Sequence, residues 1–313
     1  MIKRTITYSI GPEHPALTVQ DYLKGLGYSH RLIVHLKSTE HGLLLDGSPV
    51  FTNDRLTPGS RLTVNLAEEG DSPNIQPVDI PLSIVYEDED ILVVDKAAGM
   101  PIHPSQGNYD NTLANAAAWY FRQKGQPFVY RAVSRLDRDT SGLLVLAKHM
   151  LSACILSVQM TDRKIRRGYL ALVSGRLPES GTVDAPIGRV PGSVIERCVD
   201  WDHGETAVTH YRRLDYSPSC DLSLAGLRLE TGRTHQIRVH MAHIGHPLPG
   251  DFLYNPDFSR IGRQALHSSR LEFFHPVTGD LMVFHAPLPP DMAALAPAAT
   301  GLTSSAALWD SGF

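Results

Sequence analysis

Apolar residues in this chain fall mostly into short blocks bounded by turn formers. Ile84-Val85-Tyr86 and Ile91-Leu92-Val93-Val94 flank an acidic turn, the pattern of two neighbouring strands. Leu143 to Ala147 is apolar without interruption, as a strand buried on both faces would be. Tyr169 to Val173 and the alternating Leu222, Leu224, Leu227 and Leu229 add two more strands, the last with an irregularity near Gly226. Helical spacing is rarer. Thr18 can cap a short helix carrying Val19, Tyr22 and Leu23, and Ser29 a second with Leu32, Ile33 and Leu36. Asn111 or Thr112 can start a helix with Leu113, Ala116, Ala117 and Tyr120 on one face. Residues 149–162 fit a helix with Leu151, Ile155 and Val158 aligned, and Thr234 can cap one whose inner face is Ile237, His240, Met241 and Ile244. Strands outnumber helices without a regular βαβ alternation, which predicts an α+β protein on a mostly antiparallel sheet.

Punctuation divides the chain. Residues 1–74 read as a compact unit: two short helices, a hairpin turning at Asp46-Gly47, a turn at Pro58-Gly59 and a strand at 62–66. The polar stretch 68–76 reads as a linker into a larger unit, 75–290. Residues 291–313, rich in Ala, Pro, Ser and Thr, are expected to be a poorly ordered tail.

Composition narrows the class. With 42% hydrophobic and 20% charged residues, the 313-residue chain has the balance of a globular protein with a sizeable core. The opening MIKRTITYSIGPEHP lacks the apolar core of a secretion signal, and no apolar stretch approaches a membrane span. Three cysteines without a CxxC pair argue against a disulfide framework, so a reducing cytoplasm is the expected setting. A net charge of -4 does not point to nucleic acid, but its distribution is uneven. Residues 122–176 hold eleven Lys or Arg against three Asp, a local charge of +8. That is either a solvated face or a surface that tracks phosphates.

Two polar segments carry candidate chemistry. Ser134-Arg135-Leu136-Asp137-Arg138-Asp139-Thr140-Ser141 sets two carboxylates and two guanidiniums in a loop leading into the buried strand at 143–147. A loop entering a rigid strand can hold one side chain firmly while leaving it reachable. Asp137 and Asp139 can act as a pair, or serve only as turn acceptors. Thr231-Gly232-Arg233-Thr234-His235-Gln236-Ile237-Arg238 places a glycine and arginines at a helix start, suited to an anion; Arg238 on the first turn can meet a carboxylate from the other loop or serve as a structural ion pair. His235, His240, His243 and His246 lie close in sequence, but no HExxH or completing Cys, Asp or Glu accompanies them, so no metal is expected. Walker, GxGxxG and GxSxG motifs are missing as well.

Arg135-Leu136-Asp137-Arg138-Asp139-Thr140-Ser141-Gly142-Leu143-Leu144 closely resembles the active-site signature of the RluA/RluD family of pseudouridine synthases. Further blocks follow the family's order. Ile91 to Lys96 with Gly99, Pro101, His103 and Pro104 looks like its opening strand and loop, and Gly168 to Gly175 like its tyrosine motif. Gly232 to His240, continuing to Gly245-His246-Pro247 and Gly250-Asp251, resembles its arginine motif. The resemblance spans about residues 80 to 290. It implies a catalytic domain on a mixed, mostly antiparallel sheet, preceded by a small alpha-L-like RNA-binding module. It implies a cofactor-free isomerisation of uridine in structured RNA, with ribosomal RNA of the large subunit favoured over transfer RNA and no obligate protein partner. Asp137 would be the essential carboxylate, Tyr169 would pack on the base, and Arg238 would orient Asp137. Arg135 would fill the space a flipped base vacates, while Arg138, Lys164, Arg166, Arg167, Arg233, His235 and Gln236 would contact RNA. Ser134 departs from the family's usual His, and Asp95 and Ala97 from its usual Asn and Pro. Seven basic against eight acidic residues in 1–74 make that module a weak phosphate binder on charge alone. A binding factor that has lost its chemistry, and a glycosidic hydrolase using Asp139 as a second acid, are the competing readings.

Overall fold

Two sheets of unequal size organise the chain in a computed structural model that describes residues 2–13, 17–68 and 70–296. The first unit holds β1 (Ile2–Ser9), α1 (Val19–Gly25), α2 (His30–Ser38), β2 (Leu43–Leu45), β3 (Ser48–Pro49) and β4 (Arg61–Glu68), with sheet order β1-β4-β2-β3. Thr18 and Ser29 cap the two helices by accepting from Asp21 N and Leu32 N, as their positions predicted. β1 was not foreseen, although Ile6, Tyr8 and Ile10 alternate at strand spacing; Ile6 and Ile10 are buried.

The larger unit runs β5 (Ser83–Glu87), β6 (Ile91–Lys96), α3 (Leu113–Gln123), β7 (Ser141–Ala147), α4 (Met150–Thr161), β8 (Arg166–Ser174), β9 (Ser180–Asp184), β10 (Ile187–Arg189), β11 (Arg197–Val199), β12 (Val208–Ser217), β13 (Leu222–Leu229), α5 (Gln236–His243), β14 (Leu266–Phe274), β15 (Leu281–His285) and α6 (Pro290–Ala293). Its main sheet has the order β5-β6-β7-β14-β8-β13-β12-β9, with β15 beside β14. Every pairing is antiparallel except β7 with β14, which meet at His267–Ser141 and Ser268–Gly142. The architecture is therefore the expected α+β one. Strand periodicity sorts the core: Leu92, Val94, Leu144 and Leu146 face α3 and α5, while Ile91, Val93, Leu143 and Val145 face Leu156 of α4. All seven residues of β7 are buried.

At the β7–β14 crossing the backbones nearly touch. Gly142 has φ 116°, and a Cβ there would stand 2.3 Å from Ser268 O, so only glycine fits. The irregularity expected near Gly226 lies in the neighbouring strand, where β12 shifts register between Arg213 and Asp215.

Three other expectations are corrected. α4 has no single apolar face: Leu151 and Ile155 pack on the N-terminal core and Leu156 on the main sheet, leaving Val158 exposed. The stretch expected as a linker is strapped to the larger unit, with Asp71 Oδ1 accepting from Phe128 N at 2.7 Å and Ser72 Oγ from Tyr130 N at 2.9 Å. The expected tail begins in ordered structure, since Met292 of α6 is buried and Asp291 pairs with Arg263; residues 297–313 lie outside the described residues.

The two units are joined by a polar knot. Asp90 receives Arg4 Nε at 2.8 Å and Arg4 Nη2 at 3.1 Å, and His149 Nε2 lies 2.8 Å from its Oδ1. Burial alone would raise the Asp90 pKa, but hydrogen bonds from His149 and Arg4 hold it below the usual carboxylate range. Asp88, Asp90 and His275 bring potential ligand atoms together, yet Asp88 Oδ2 already accepts from Tyr86 and faces His275, and both Asp90 oxygens serve Arg4.

Candidate active site

The loop 134–140 is held from several sides. Buried Lys96 donates Nζ to the carbonyls of Ala97, Met100 and Arg138 at 2.8 to 2.9 Å. Burial pushes the Lys96 pKa down to about 7, against the attraction of Asp139 and Asp137. Thr140 N donates to Asp137 O at 3.1 Å, closing a turn. Ser141 Oγ lies 2.9 Å from His267 Nδ1, and Arg263 Nη1 reaches Asp139 O at 3.2 Å. These restraints fix the backbone and leave the Asp137 carboxylate in a pocket, its side chain 28% exposed.

Arg238, on the first turn of α5, meets that carboxylate: Nη1 lies 3.0 Å from Asp137 Oδ2. The guanidinium is buried and braced from behind by Asp251, with Nε to Oδ2 at 2.6 Å and Nη2 to Oδ1 at 2.7 Å. Burial works against its charge, but Asp251 and Asp137 more than compensate, and the Arg238 pKa is raised. The two-pronged bond to Asp251 fixes the plane of the guanidinium, and so the angle it presents to Asp137. Asp251 escaped the sequence reading as a site residue. Its signal was the Gly250-Asp251 pair at the end of the arginine motif.

Tyr169, on β8, sits between Leu227 and Ser268 of the neighbouring strands and is buried. Burial raises its pKa, opposed by Arg167, so the phenol stays neutral. Arg167 lies against Gly232, its Nη2 2.9 Å from where a Cβ would stand. The pocket is lined by Arg135, Asp137, Arg167, Tyr169, Arg233, His235, Gln236 and Arg238, with Leu136, Leu229, Ile237 and Leu266 as apolar wall. About 420 Å³ of open space lies within it, mouth included, within the usual range of small-ligand sites.

The remaining predicted residues divide. Arg135 is exposed at the pocket rim. Arg138 turns to Asp139, donating from Nε and Nη2, so Asp139 is engaged by its own neighbour. Lys164 and Arg166 are exposed outside the pocket lining, paired with Asp162 and Glu272. Arg233 is tied to Glu205 and to Thr206 O. Gln236 lines the pocket with its amide engaged inside the protein. It is buried, accepts from Thr231 Oγ1 and Arg233 N, and donates to Val208 O and Thr209 Oγ1, so its amide shapes the loop and is spent within the protein. Thr234 does not cap α5; that position belongs to His235, with a left-handed backbone and no side-chain cap bond. The clustered histidines diverge: His240 bonds Thr209 and Ala185 O in the core, and His246 bonds Ser174 O.

The +8 stretch is also divided. Lys124 and Lys148 converge on Glu87 at the far end of β7, and Arg163 pairs with Glu230. Burial would raise the Glu87 pKa, but hydrogen bonds from Lys124, Tyr120 and Lys148 hold it at about 2.

Comparison with known proteins bears on this geometry. The family model for RNA pseudouridylate synthase matches residues 90–243. The "Uncharacterized RNA pseudouridine synthase YjbO" of Bacillus subtilis is 44% identical over 280 residues, covering 89% of this chain and 98% of that one. This chain belongs to the RNA pseudouridine synthase family. The "Ribosomal large subunit pseudouridine synthase D" of Nitrosomonas europaea is 39% identical over 308 residues, 92% of this chain and 89% of the relative. Among solved structures, Human RNA Pseudouridylate Synthase Domain Containing 1 aligns with a TM-score of 0.58 at 28% identity, covering 68% of this chain and 87% of its own. As a member of that family the protein is an isomerase acting on RNA, and the pocket holding Asp137 lies within or beside the matched segments. Among the described residues no helix is long and apolar enough to cross a membrane.

Proposed function

We propose that this enzyme isomerises a specific uridine of large-subunit ribosomal RNA to pseudouridine, with Asp137 as its essential carboxylate. The observation that carries the reading is the Asp137 carboxylate itself, open to the pocket and held by a buried arginine that has a second carboxylate behind it. A uridine in a structured RNA must leave its stack to reach such a pocket, at a cost of about a few kcal/mol. Arg135 at the rim occupies the vacated space, and Arg138, Lys164, Arg166, Arg167 and Arg233 contact surrounding phosphates. In the pocket the bond between ribose and uracil nitrogen breaks, the base turns, and carbon 5 rejoins the sugar. Tyr169 packs on the base, and Arg238 keeps the carboxylate oriented through the sequence. The small N-terminal unit is an alpha-L-like module that positions the catalytic domain on the RNA. Its near-balanced charge makes it a weak binder alone. Ribosomal RNA is preferred because several relatives at about 40% identity bear the name ribosomal large subunit pseudouridine synthase D.

The test is tritium release from RNA labelled at uridine carbon 5, comparing the wild type with Asp137→Asn on ribosomal and transfer RNA from cells lacking the protein. Release by the wild type alone, from ribosomal RNA, is expected. Turnover by a folded Asp137→Asn protein overturns the catalytic assignment, and release from transfer RNA alone overturns the substrate.

A further inference from the structure

His235 occupies a costly position. It begins α5 with φ 59°, a left-handed conformation uncommon for residues other than glycine, where helix starts favour Ser, Thr, Asp or Asn. This backbone turns the imidazole towards the catalytic carboxylate: Nε2 lies 4.0 Å from Asp137 Oδ2, and the side chain is 12% exposed. The other ring nitrogen, Nδ1, is 3.0 Å from the Tyr254 hydroxyl oxygen.

Tyr254 determines which nitrogen holds the proton. Its oxygen accepts the backbone N–H of Arg197 at 3.0 Å, leaving its own proton to donate. Among the described residues the acceptor in reach is His235 Nδ1, and an Nδ1 that accepts leaves the proton on Nε2. The opposite tautomer would turn a lone pair on Nε2 towards a carboxylate. Tyr254 is itself braced, with the Arg238 guanidinium 5.1 Å from its ring centre and the His235 ring edge-on at 5.9 Å. Burial lowers the His235 pKa, with Arg238 and Arg197 acting in the same direction and Asp137 and Asp251 opposing, so the ring is neutral at pH 7.

We infer that Tyr254 locks His235 as the Nε2–H tautomer, and that this neutral N–H, aimed into the pocket beside Asp137, holds the negative charge of the uracil while it is detached from the ribose. The inference rests on the pseudouridine synthase reading with Asp137. When the ribose–N1 bond breaks, its electron pair leaves with the base. The uracil is then an anion spread over N1 and the carbonyl oxygens until C5 forms the new bond to the sugar and gives its proton to solvent, while N1 takes a proton from solvent, so that no atom is gained or lost overall. A neutral N–H lowers the energy of that anion by hydrogen bonding and transfers no proton. An imidazolium would protonate the base and remove the electron density that C5 needs. His235 ends the cycle as it began, so no co-reactant is required.

The experiment has two readouts. In protein labelled with nitrogen-15 in histidine, the His235 signals, assigned by their loss in His235→Asn, are expected to show Nδ1 unprotonated and Nε2–H at pH 7, with the preference lost in Tyr254→Phe. Single-turnover rates on the responsive RNA then compare variants. Asn accepts the left-handed backbone but is too short to reach the base, so His235→Asn is expected to lose about 100-fold in rate with RNA affinity within about twofold. His235→Gln restores an N–H donor at similar reach and is expected to recover to within about tenfold of wild type. A proton on Nδ1, wild-type turnover by His235→Asn, or a rate loss matched by lost RNA affinity overturns the inference. An inactive Asp137→Asn beside an unimpaired His235→Asn removes this inference alone. An active Asp137→Asn removes the reading beneath it while the tautomer remains measurable.

Discussion

The pocket and the joint between the two units are built from the same pair of residue types in opposite arrangement. At the joint the carboxylate is enclosed: the Asp90 side chain is 4% exposed and Arg4, reaching in, 22%. At the pocket the cation is enclosed: Arg238 is 1% exposed and Asp137, facing out, 28%. Asp90 has Arg4 on both oxygens and His149 on one, with nothing left for a visitor. Asp137 is held by Arg238 through one oxygen, because Asp251 takes the other side of the guanidinium. An enclosed anion makes an adhesive, whereas an enclosed cation presents a usable anion.

The sharpest way to break this comparison is Asp251→Ala. It leaves a buried guanidinium without its main partner and is expected to cost about 3–5 kcal/mol in urea denaturation, with turnover lost. Asp137→Asn removes the outward carboxylate and is expected to change stability by less than about 1 kcal/mol. Equal losses from the two would mean that Asp137 is structural. Next is Arg4→Met at the joint, expected to cost about 1–3 kcal/mol while leaving turnover of short RNA intact. The acid side sharpens it. The folded pKa of Asp90 lies below its ordinary value, so its contribution is complete above the normal carboxylate range and lost as pH falls from there through the lowered folded value. Glu87, held at about 2, loses its own contribution over the same descent. Arg4→Met should therefore show a shallower fall of stability below about pH 4 than the wild type. An unchanged acid slope would remove Arg4 from the account.

The smallest effect at neutral pH is expected from Lys96→Met. Losing the desolvation cost offsets losing three carbonyl partners, so stability should stay within about 1 kcal/mol. A folded pKa of about 7 means that the unfolded chain binds more protons between about pH 7 and 10.4, so stability from this residue rises with pH over that window. In Lys96→Met the rise should flatten, and turnover should fall as the loop at Arg138 loosens.

Local features were legible in the sequence, and tertiary ones were not. The caps at Thr18 and Ser29, the apolar run 143–147 within β7 and the Arg238 position follow from short-range pattern. Val158 was misplaced because α4 packs on two cores, and apolar spacing cannot show which turn meets which. Asp251 has no periodicity, and its partner lies 13 residues away across a loop. The left-handed start at His235 was invisible because nothing in Arg-Thr-His-Gln requires it. Lys96 ends a strand in the sequence, and only its burial beside the loop shows its task. The basic stretch was read as one surface, but its acidic partners Glu87, Glu230 and Glu272 come from elsewhere in the chain.

The place of β14 in the sheet has a consequence for the order of events during synthesis. It lies between β7 and β8, yet the ribosome makes it after nearly everything it joins. Until about residue 272 has emerged, β5-β6-β7 and β8-β13-β12-β9 are two open half-sheets, each with an unpaired inner edge. Asp137 is translated 101 residues before Arg238 and earlier still than Asp251. A nascent chain therefore carries the Asp137 carboxylate through the next 101 residues without Arg238, and longer without Asp251. The sheet that carries the pocket is complete only when β14 joins its two halves.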